Sequence, residues 1–208
     1  MHLYTSTIPS GNAYKVELLL AHLKIQYETT SLNILSTPSE TRKPEFLTIN
    51  PNGRIPVLVL DDGTPLAESN AILFYLAEET PYLPSTKLGR AHVLQWLFFE
   101  QYSHEPYIAV WKFCTYWGGF GSRSEDEIAK LKTRGQDALD IMEKHLEGKT
   151  FLADEMFSIA DIALYAYTSA AEAIGFSVGE NVKKWLKRVE EREGHVRINK
   201  DPTGKCPL

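Results

Sequence analysis

Residues 50–58 read Asn50-Pro51-Asn52-Gly53-Arg54-Ile55-Pro56-Val57-Leu58, and beyond Asp61-Asp62-Gly63 the chain continues as Glu68-Ser69-Asn70-Ala71-Ile72. The β-branched run 57–60 closes on an Asp-Gly turn signal, 64–67 supplies a return strand, and 69–79 carries Ile72, Leu73 and Leu76 on one helical face. The stretch is a hairpin leading into a helix. Toward the N-terminus, 2–5 reads as a short strand, Pro9 and Gly11 lie in a loop, and Val16, Leu19, Leu20 and Leu23 recur at helical spacing. Residues 27–33 then look extended, and 39–48 looks like a short helix or an irregular segment. The order expected over the first third is βαβαββα. In the other direction, Pro81 and Pro84 interrupt the pattern within 80–86, because proline cannot continue a helix and pushes its predecessor toward extended backbone. Everything beyond is helical in pattern: 88–117, 124–146, 158–174 and 180–192. The expected architecture is an α/β domain over 1–79, a linker over 80–86 and an all-helical domain over 87–208.

Composition narrows the function. The 208 residues are 43% hydrophobic and 24% charged, an ordinary globular balance that excludes a disordered or collagen-like chain. With 22 Lys and Arg against 27 Asp and Glu, the net charge of -5 offers no basic excess for a phosphate backbone, so nucleic acid is not an expected partner. Two cysteines, Cys114 and Cys206, are too few for a disulfide framework or a zinc site, and no metal is expected. They suit a reducing compartment. The first ten residues lack the features of a secretory signal, and no apolar run approaches the roughly 20 residues that span a bilayer. A soluble, cytoplasmic protein without a membrane partner is expected.

Ser158-Ile159-Ala160-Asp161 places a serine at a helix start with an acid three residues on, so that each side chain can bond exposed amides of the first turn. This is a folding signal. The chemistry points to the 50–58 stretch. A proline opening a strand suggests a cis Ile55-Pro56 bond, which exposes the Ile55 backbone for strand-like pairing with an extended peptide. Ser69, at the start of a helix, has unpaired N–H groups and a positive dipole end beside it, a setting that favours a carboxylate. Together they describe a site for a small acidic peptide.

On these residues the chain resembles the cytosolic glutathione transferases along nearly its whole length. The 50–58 and 68–72 stretches look like the family's glutathione-binding signature, and 158–161 like its second-domain capping motif. The opening Ser10-Gly11-Asn12-Ala13-Tyr14-Lys15 and the stretch from Phe99 to Pro106 look similar to bacterial-type members with a serine, threonine or asparagine near the thiol. The resemblance implies a thioredoxin-like N-terminal domain, an all-helical C-terminal domain and a homodimer. It implies glutathione as co-substrate, with no metal or further cofactor, and a small hydrophobic electrophile as the other partner. Glu68 and Ser69 would hold the γ-glutamyl amine and carboxylate, Ile55, ahead of Pro56, would pair with the cysteinyl backbone, and Arg54 or Asn52 would meet the glycyl end or its loop.

A thiol with pKa ~8.5 is mostly protonated at neutral pH, whereas the nucleophile is the thiolate, so the protein must stabilise the anion. Ser10 is the first choice of donor, Asn12 the second, and the helix starting near Ala13 supplies the dipole. Tyr4, early in the first strand, is the rival donor. Equally, Ser10 and Asn12 are ordinary helix-cap residues, Tyr4 an ordinary strand aromatic, and Glu68 and Arg54 ordinary surface charges. In the helical part, Tyr102, His104, Tyr107, Trp111, Phe113, Tyr116 and Trp117 form an aromatic run on one helix. His104, Tyr107 and Trp111 are the candidate electrophile contacts, with core packing as the alternative, and Cys114 reads as a buried small hydrophobe. The same thiolate can instead attack a disulfide, giving a glutathione-dependent reductase, and a noncatalytic glutathione transferase-like binding protein is the third reading.

Overall fold

Buried and half-buried positions alternate along His2–Ser6, the signature of a strand with helices against it, and this is β1. The computed structural model describes residues 1–153, 155–198 and 204–206. Strands β2 (Glu28–Leu32), β3 (Val57–Val59) and β4 (Pro65–Ala67) complete a sheet of order β2-β1-β3-β4. β1 runs parallel to β2 and antiparallel to β3, and β3 is antiparallel to β4. The parallel pair is joined by helix α1 (Gly11–His22), as a parallel connection requires, and the antiparallel pair by the Asp-Gly turn, where Leu60 N donates to Thr64 O at 2.9 Å. A short turn at Glu40–Arg42 and helix α2 (Pro44–Ile49) precede β3, and helix α3 (Ser69–Ala77) follows β4. Leu3 and Leu58, cross-strand partners in the sheet, are wholly buried with Val16, Leu19, Leu20, Ile72 and Leu73 of α1 and α3. This is the expected βαβαββα order. The first helix begins at Gly11, two residues ahead of its expected start near Ala13.

The remaining helices are α4 (Lys87–Phe99), α5 (Glu105–Trp117), α6 (Glu125–His145), α7 (Ile159–Thr168) and α8 (Glu180–Glu190). Two differ from the sequence reading. The continuous helix expected over 88–117 contains a π-helical turn at Glu100–His104, where the Glu105 amide bonds the Glu100 carbonyl. Pro106 explains it, because it lacks the N–H that would bond the Tyr102 carbonyl and its ring crowds that carbonyl. The helix expected over 158–174 ends at Thr168, whose hydroxyl donates to Leu164 O at 2.7 Å and competes there for the backbone amide's own acceptor.

Contacts divide the chain into Met1–Glu78 with Gly194–Leu208, and Glu79–Glu193. The tail that the sequence assigned to the helical domain therefore groups with the first unit. The Tyr14 hydroxyl of α1 donates to the Val196 carbonyl at 2.6 Å, and Ile198 lines a small cavity with Thr5 and Ser10. The segment 80–86 groups with the second unit, where Tyr82 O accepts from Ile159 N at 3.0 Å.

The Ser158 cap forms as the sequence suggests and extends further. Ser158 Oγ accepts from Ala160 N at 3.2 Å, and Asp161 Oδ2 accepts from Ser158 N at 2.9 Å. The other carboxylate oxygen takes Leu152 N at 3.0 Å and the Trp185 indole at 2.9 Å, tying α7 to α8 and to the loop before it.

Candidate functional site

The first turn of α1 is built on Ser10, whose side-chain oxygen accepts from Ala13 N at 3.3 Å. The helix-cap alternative is thus realised. It does not consume the hydroxyl, because capping uses an oxygen lone pair and leaves the O–H to donate elsewhere. Asn12 and Lys15, one turn apart on α1, meet the start of α3. Lys15 Nζ donates to Asn12 Oδ1 at 2.7 Å and to Ser69 Oγ at 3.4 Å, and Ser69 Oγ lies 3.4 Å from the same Asn12 oxygen. Lys15 is fully buried, a position a lysine occupies only with partners. The N-termini of α1 and α3, each a positive dipole end, are thereby joined through three side chains.

Glu68 caps α3 with φ 69° and ψ 111°, a conformation that is an outlier for a residue with a Cβ and the kind of local strain found at ligand sites. Its carboxylate is exposed while Ser69 beside it is buried. An exposed carboxylate suits an amine, and a helix-start hydroxyl with its neighbouring amides suits a carboxylate.

The 50–58 stretch folds around the side chain of Asn50, which accepts from Asn52 N at 3.1 Å and donates to Arg54 O at 2.8 Å. Gly53 has φ 61°, and a Cβ there would lie 2.9 Å from the Thr41 carbonyl, so only glycine fits this turn. Ile55-Pro56 is cis. Among the described residues, the Ile55 amide and carbonyl take part in no backbone hydrogen bond outside the sheet. The Arg54 side chain is exposed.

Tyr4 is placed apart from this group. It packs on Phe46 of α2 and His2, with centroids 5.6 and 4.9 Å away. Thr5 points to the other face of β1, where it bonds Glu17 of α1 at 3.2 Å, so Tyr4 lies on the sheet face opposite α1 and plays the packing role. Within the helical unit, His104 is fully buried and bonds the Thr168 hydroxyl at 2.9 Å, which puts it in the core. Trp111 is half-buried, donates to Ile174 O at 2.9 Å and packs edge-on against Phe120 and Phe176. Tyr107 is half-buried. Among the described residues no cluster of His, Cys, Asp or Glu is suited to a metal, and no helix is long and apolar enough to cross a membrane.

Residues 9–79 match the glutathione S-transferase N-terminal domain, and residues 81–193 the glutathione S-transferase C-terminal domain. The chain belongs to the glutathione S-transferase family. The family match starts at Pro9 and takes in every candidate residue of the first unit except Tyr4. A glutathione S-transferase from Pseudomonas fluorescens Pf-5 superposes with a TM-score of 0.88 at 47% identity, covering 94% of this chain and 97% of its own. A glutathione transferase from Pseudomonas putida, solved with one glutathione disulfide bound per subunit, gives 0.78 at 27% identity over 93% of this chain and 87% of its own. The disulfide-bond oxidoreductase YfcG of Escherichia coli (strain K12) is 32% identical over 193 residues, 88% of either chain. Elongation factor 1-gamma of Rattus norvegicus is 30% identical over 177 residues, 80% of this chain but 40% of that longer protein.

Lys15 is the site residue that sequence reasoning passed over. Its signal was a single lysine among the buried apolar positions of α1, three residues after an asparagine, a spacing that brings two side chains together on a helix.

Proposed function

We propose that this glutathione S-transferase family member binds glutathione as co-substrate and stabilises its thiolate for attack on a small hydrophobic electrophile. The observation that carries the reading is the joining of the α1 and α3 N-termini by Asn12, Lys15 and Ser69, beside a Ser10 hydroxyl whose proton remains available to donate. Glu68 takes the γ-glutamyl amine, Ser69 and the α3 amides its carboxylate, the Ile55 backbone the cysteinyl unit, and Ser10 the sulfur. Arg54, exposed next to Ile55, is suited to the glycyl carboxylate. The reaction needs no metal or further cofactor, since a held thiolate placed against an electrophilic carbon already combines activation with proximity. Tyr107 and Trp111, both half-buried, are the aromatic candidates for the electrophile's side. The two free cysteines are both buried, which fits a reducing, cytoplasmic setting.

Reduction of disulfides by the same thiolate is a second reading, favoured by the name of the Escherichia coli relative and by the glutathione disulfide in the Pseudomonas putida structure. With Cys114 and Cys206 buried, the exchange would run between glutathione and the substrate disulfide. The relation to elongation factor 1-gamma favours the noncatalytic alternative. One experiment separates the three: retention on immobilised glutathione, with the eluted protein assayed for conjugation of a chloronitrobenzene and for reduction of a small disulfide. Retention with neither activity selects the binding protein, and no retention overturns the glutathione reading.

Substituting Ser69→Ala or Glu68→Ala is expected to weaken glutathione binding tenfold or more, since each removes a charge-assisted hydrogen bond worth about 1.5 to 3 kcal/mol. Calorimetric titration measures it, and unchanged affinity contradicts the assignment. The homodimer is proposed on the exposed apolar residues Leu88, Phe98 and Tyr102, which share one side of α4 and its continuation and are 65%, 69% and 84% exposed. Sedimentation is expected to give a dimer that Phe98→Glu converts to single chains. A wild-type monomer at micromolar concentration contradicts it.

A further inference from the structure

Glu17 is the half-buried carboxylate of α1, and the glutathione assignment gives it no task. It follows Ser10 by seven residues, a spacing that returns to the same side of a helix two turns on. Both residues line a cavity of about 120 Å³ in the first unit, whose other described walls are residues 5–9, Ser31 and Ile198. Hydroxyl-bearing residues dominate those walls, so the cavity has the room and the polar partners that water requires. At one side of it, Ser10 gives its oxygen to Ala13 N at 3.3 Å, and its proton has no acceptor among the described residues. At the other, Glu17 Oε1 accepts from the Thr5 hydroxyl at 3.2 Å, which leaves Oε2 without a hydrogen bond among the described residues. Burial raises the proton affinity of the Glu17 carboxyl, against the lowering effect of the Thr5 bond. Tyr27 feels the Glu17 charge, and its hydroxyl is raised first by burial and then by that charge. A base acts best on a proton when its own affinity approaches the working pH, and burial moves Glu17 in that direction.

We propose that Glu17 accepts the proton that glutathione's thiol gives up, by way of the Ser10 hydroxyl and water in this cavity, an inference that rests on the glutathione reading. The transfer balances. The thiol proton passes to Ser10 Oγ as the Ser10 proton passes to water, and a water proton passes to the carboxylate. One S–H bond is lost and one O–H bond is gained on Glu17, while Ser10 and each water exchange one proton for another. The thiolate is left facing the Ser10 O–H, and neutral Glu17 returns its proton to solvent before the next turnover. Glu17 touches no reacting atom in this role. A purely structural Glu17 would only fasten α1 to β1 through Thr5. Glu17→Gln distinguishes the two, because the amide keeps an oxygen for Thr5 and cannot take up a proton.

The test mixes the protein with saturating glutathione at neutral pH in dilute buffer and follows the thiolate's ultraviolet absorbance, in the wild type and in Glu17→Gln. The variant is expected to form thiolate about a hundredfold more slowly. Its final amount of bound thiolate is expected to be undiminished, because the substitution removes a negative charge and leaves the Ser10 donor in place. A slower rate with undiminished thiolate is a split that a general loosening of the fold does not produce. Equal rates, or a loss of rate matched by a loss of final thiolate, overturn the proposal. Should Glu17→Gln fail to fold, the wild-type rate in mixtures of light and heavy water decides. A bowed dependence on deuterium content is expected of several protons moving together, and a straight line, as one proton leaving directly to solvent gives, overturns the relay. A wild-type protein that is not retained on immobilised glutathione and forms no thiolate on mixing marks the failure of the glutathione reading itself, and the role of Glu17 falls with it.

Discussion

Replacing Asp161 by alanine is expected to destabilise the helical unit by about 3 kcal/mol or more. Four donors converge on that carboxylate: the amides of Leu152 and Ser158, the Ser158 hydroxyl and the Trp185 indole. All are buried, and each orphaned donor costs ~1 to 3 kcal/mol, so their sum exceeds the gain from no longer burying a carboxyl. That gain is bounded by the group's own titration. Burial pushes the Asp161 carboxyl up to about 6, with the four donors pulling the other way. The shift from an unfolded value near ~3.9 corresponds to roughly 3 kcal/mol. Its sign follows from linkage. Between about pH 4 and 6 the folded chain holds a proton that the unfolded chain has released, so this group's contribution is full below pH 4 and is lost as pH rises to about 6. Urea unfolding of the helical unit checks both parts. Asp161→Ala lowers the midpoint strongly, and Asp161→Asn, which cannot titrate, flattens the pH slope across that window. An alanine variant as stable as the wild type, or the same slope in Asp161→Asn, contradicts the network's role.

Ser10→Ala is expected to lower activity near neutral pH by about 10- to 100-fold. A hydrogen bond to an anion is worth about 1.5 to 3 kcal/mol, and removing it raises the bound thiol's pKa by about one to two units. The loss should shrink as pH rises, because alkaline solvent deprotonates the thiol without help. Alanine also removes the cap on α1, worth ~1 kcal/mol, but a weakened helix start reduces activity at every pH alike. Ser10→Gly separates the two effects, since glycine at a cap costs only a few tenths of a kcal/mol while removing the same hydroxyl. It should match alanine in the pH profile and exceed it in stability. A loss independent of pH, or a larger pH effect from Asn12→Ala or Tyr4→Phe, transfers the donor role away from Ser10.

The strands, the Asp-Gly hairpin and the Ser158-Asp161 cap were legible because each is written in contiguous residues whose period or turn chemistry is local. The π turn at Glu100–His104 had its cause in view, Pro106, yet the apolar periodicity on either side suggested one helix. What escaped the sequence was whatever depends on distant partners. Lys15 is buried because Asn12 and, 54 residues on, Ser69 accept its ammonium. His104 and Trp111 stood in sequence as candidate ligand contacts or packing residues, because the partners of their ring nitrogens, Thr168 and Ile174, lie over 60 residues away. Tyr4, left open between rival donor and strand aromatic, depends on the fold in another way. Strand alternation fixes that Tyr4 and Thr5 face opposite ways, but only the packing of α1 against Thr5 decides which face holds the site.

The most direct test of thiolate stabilisation is the ultraviolet titration of glutathione bound to the wild-type protein and to Ser10→Ala. A bound thiol with a pKa well below the ~8.5 of a free thiol, raised by about one to two units in the variant, is the expected result. A complex that titrates as free glutathione does, or one whose thiol is unmoved by losing the Ser10 hydroxyl, contradicts it.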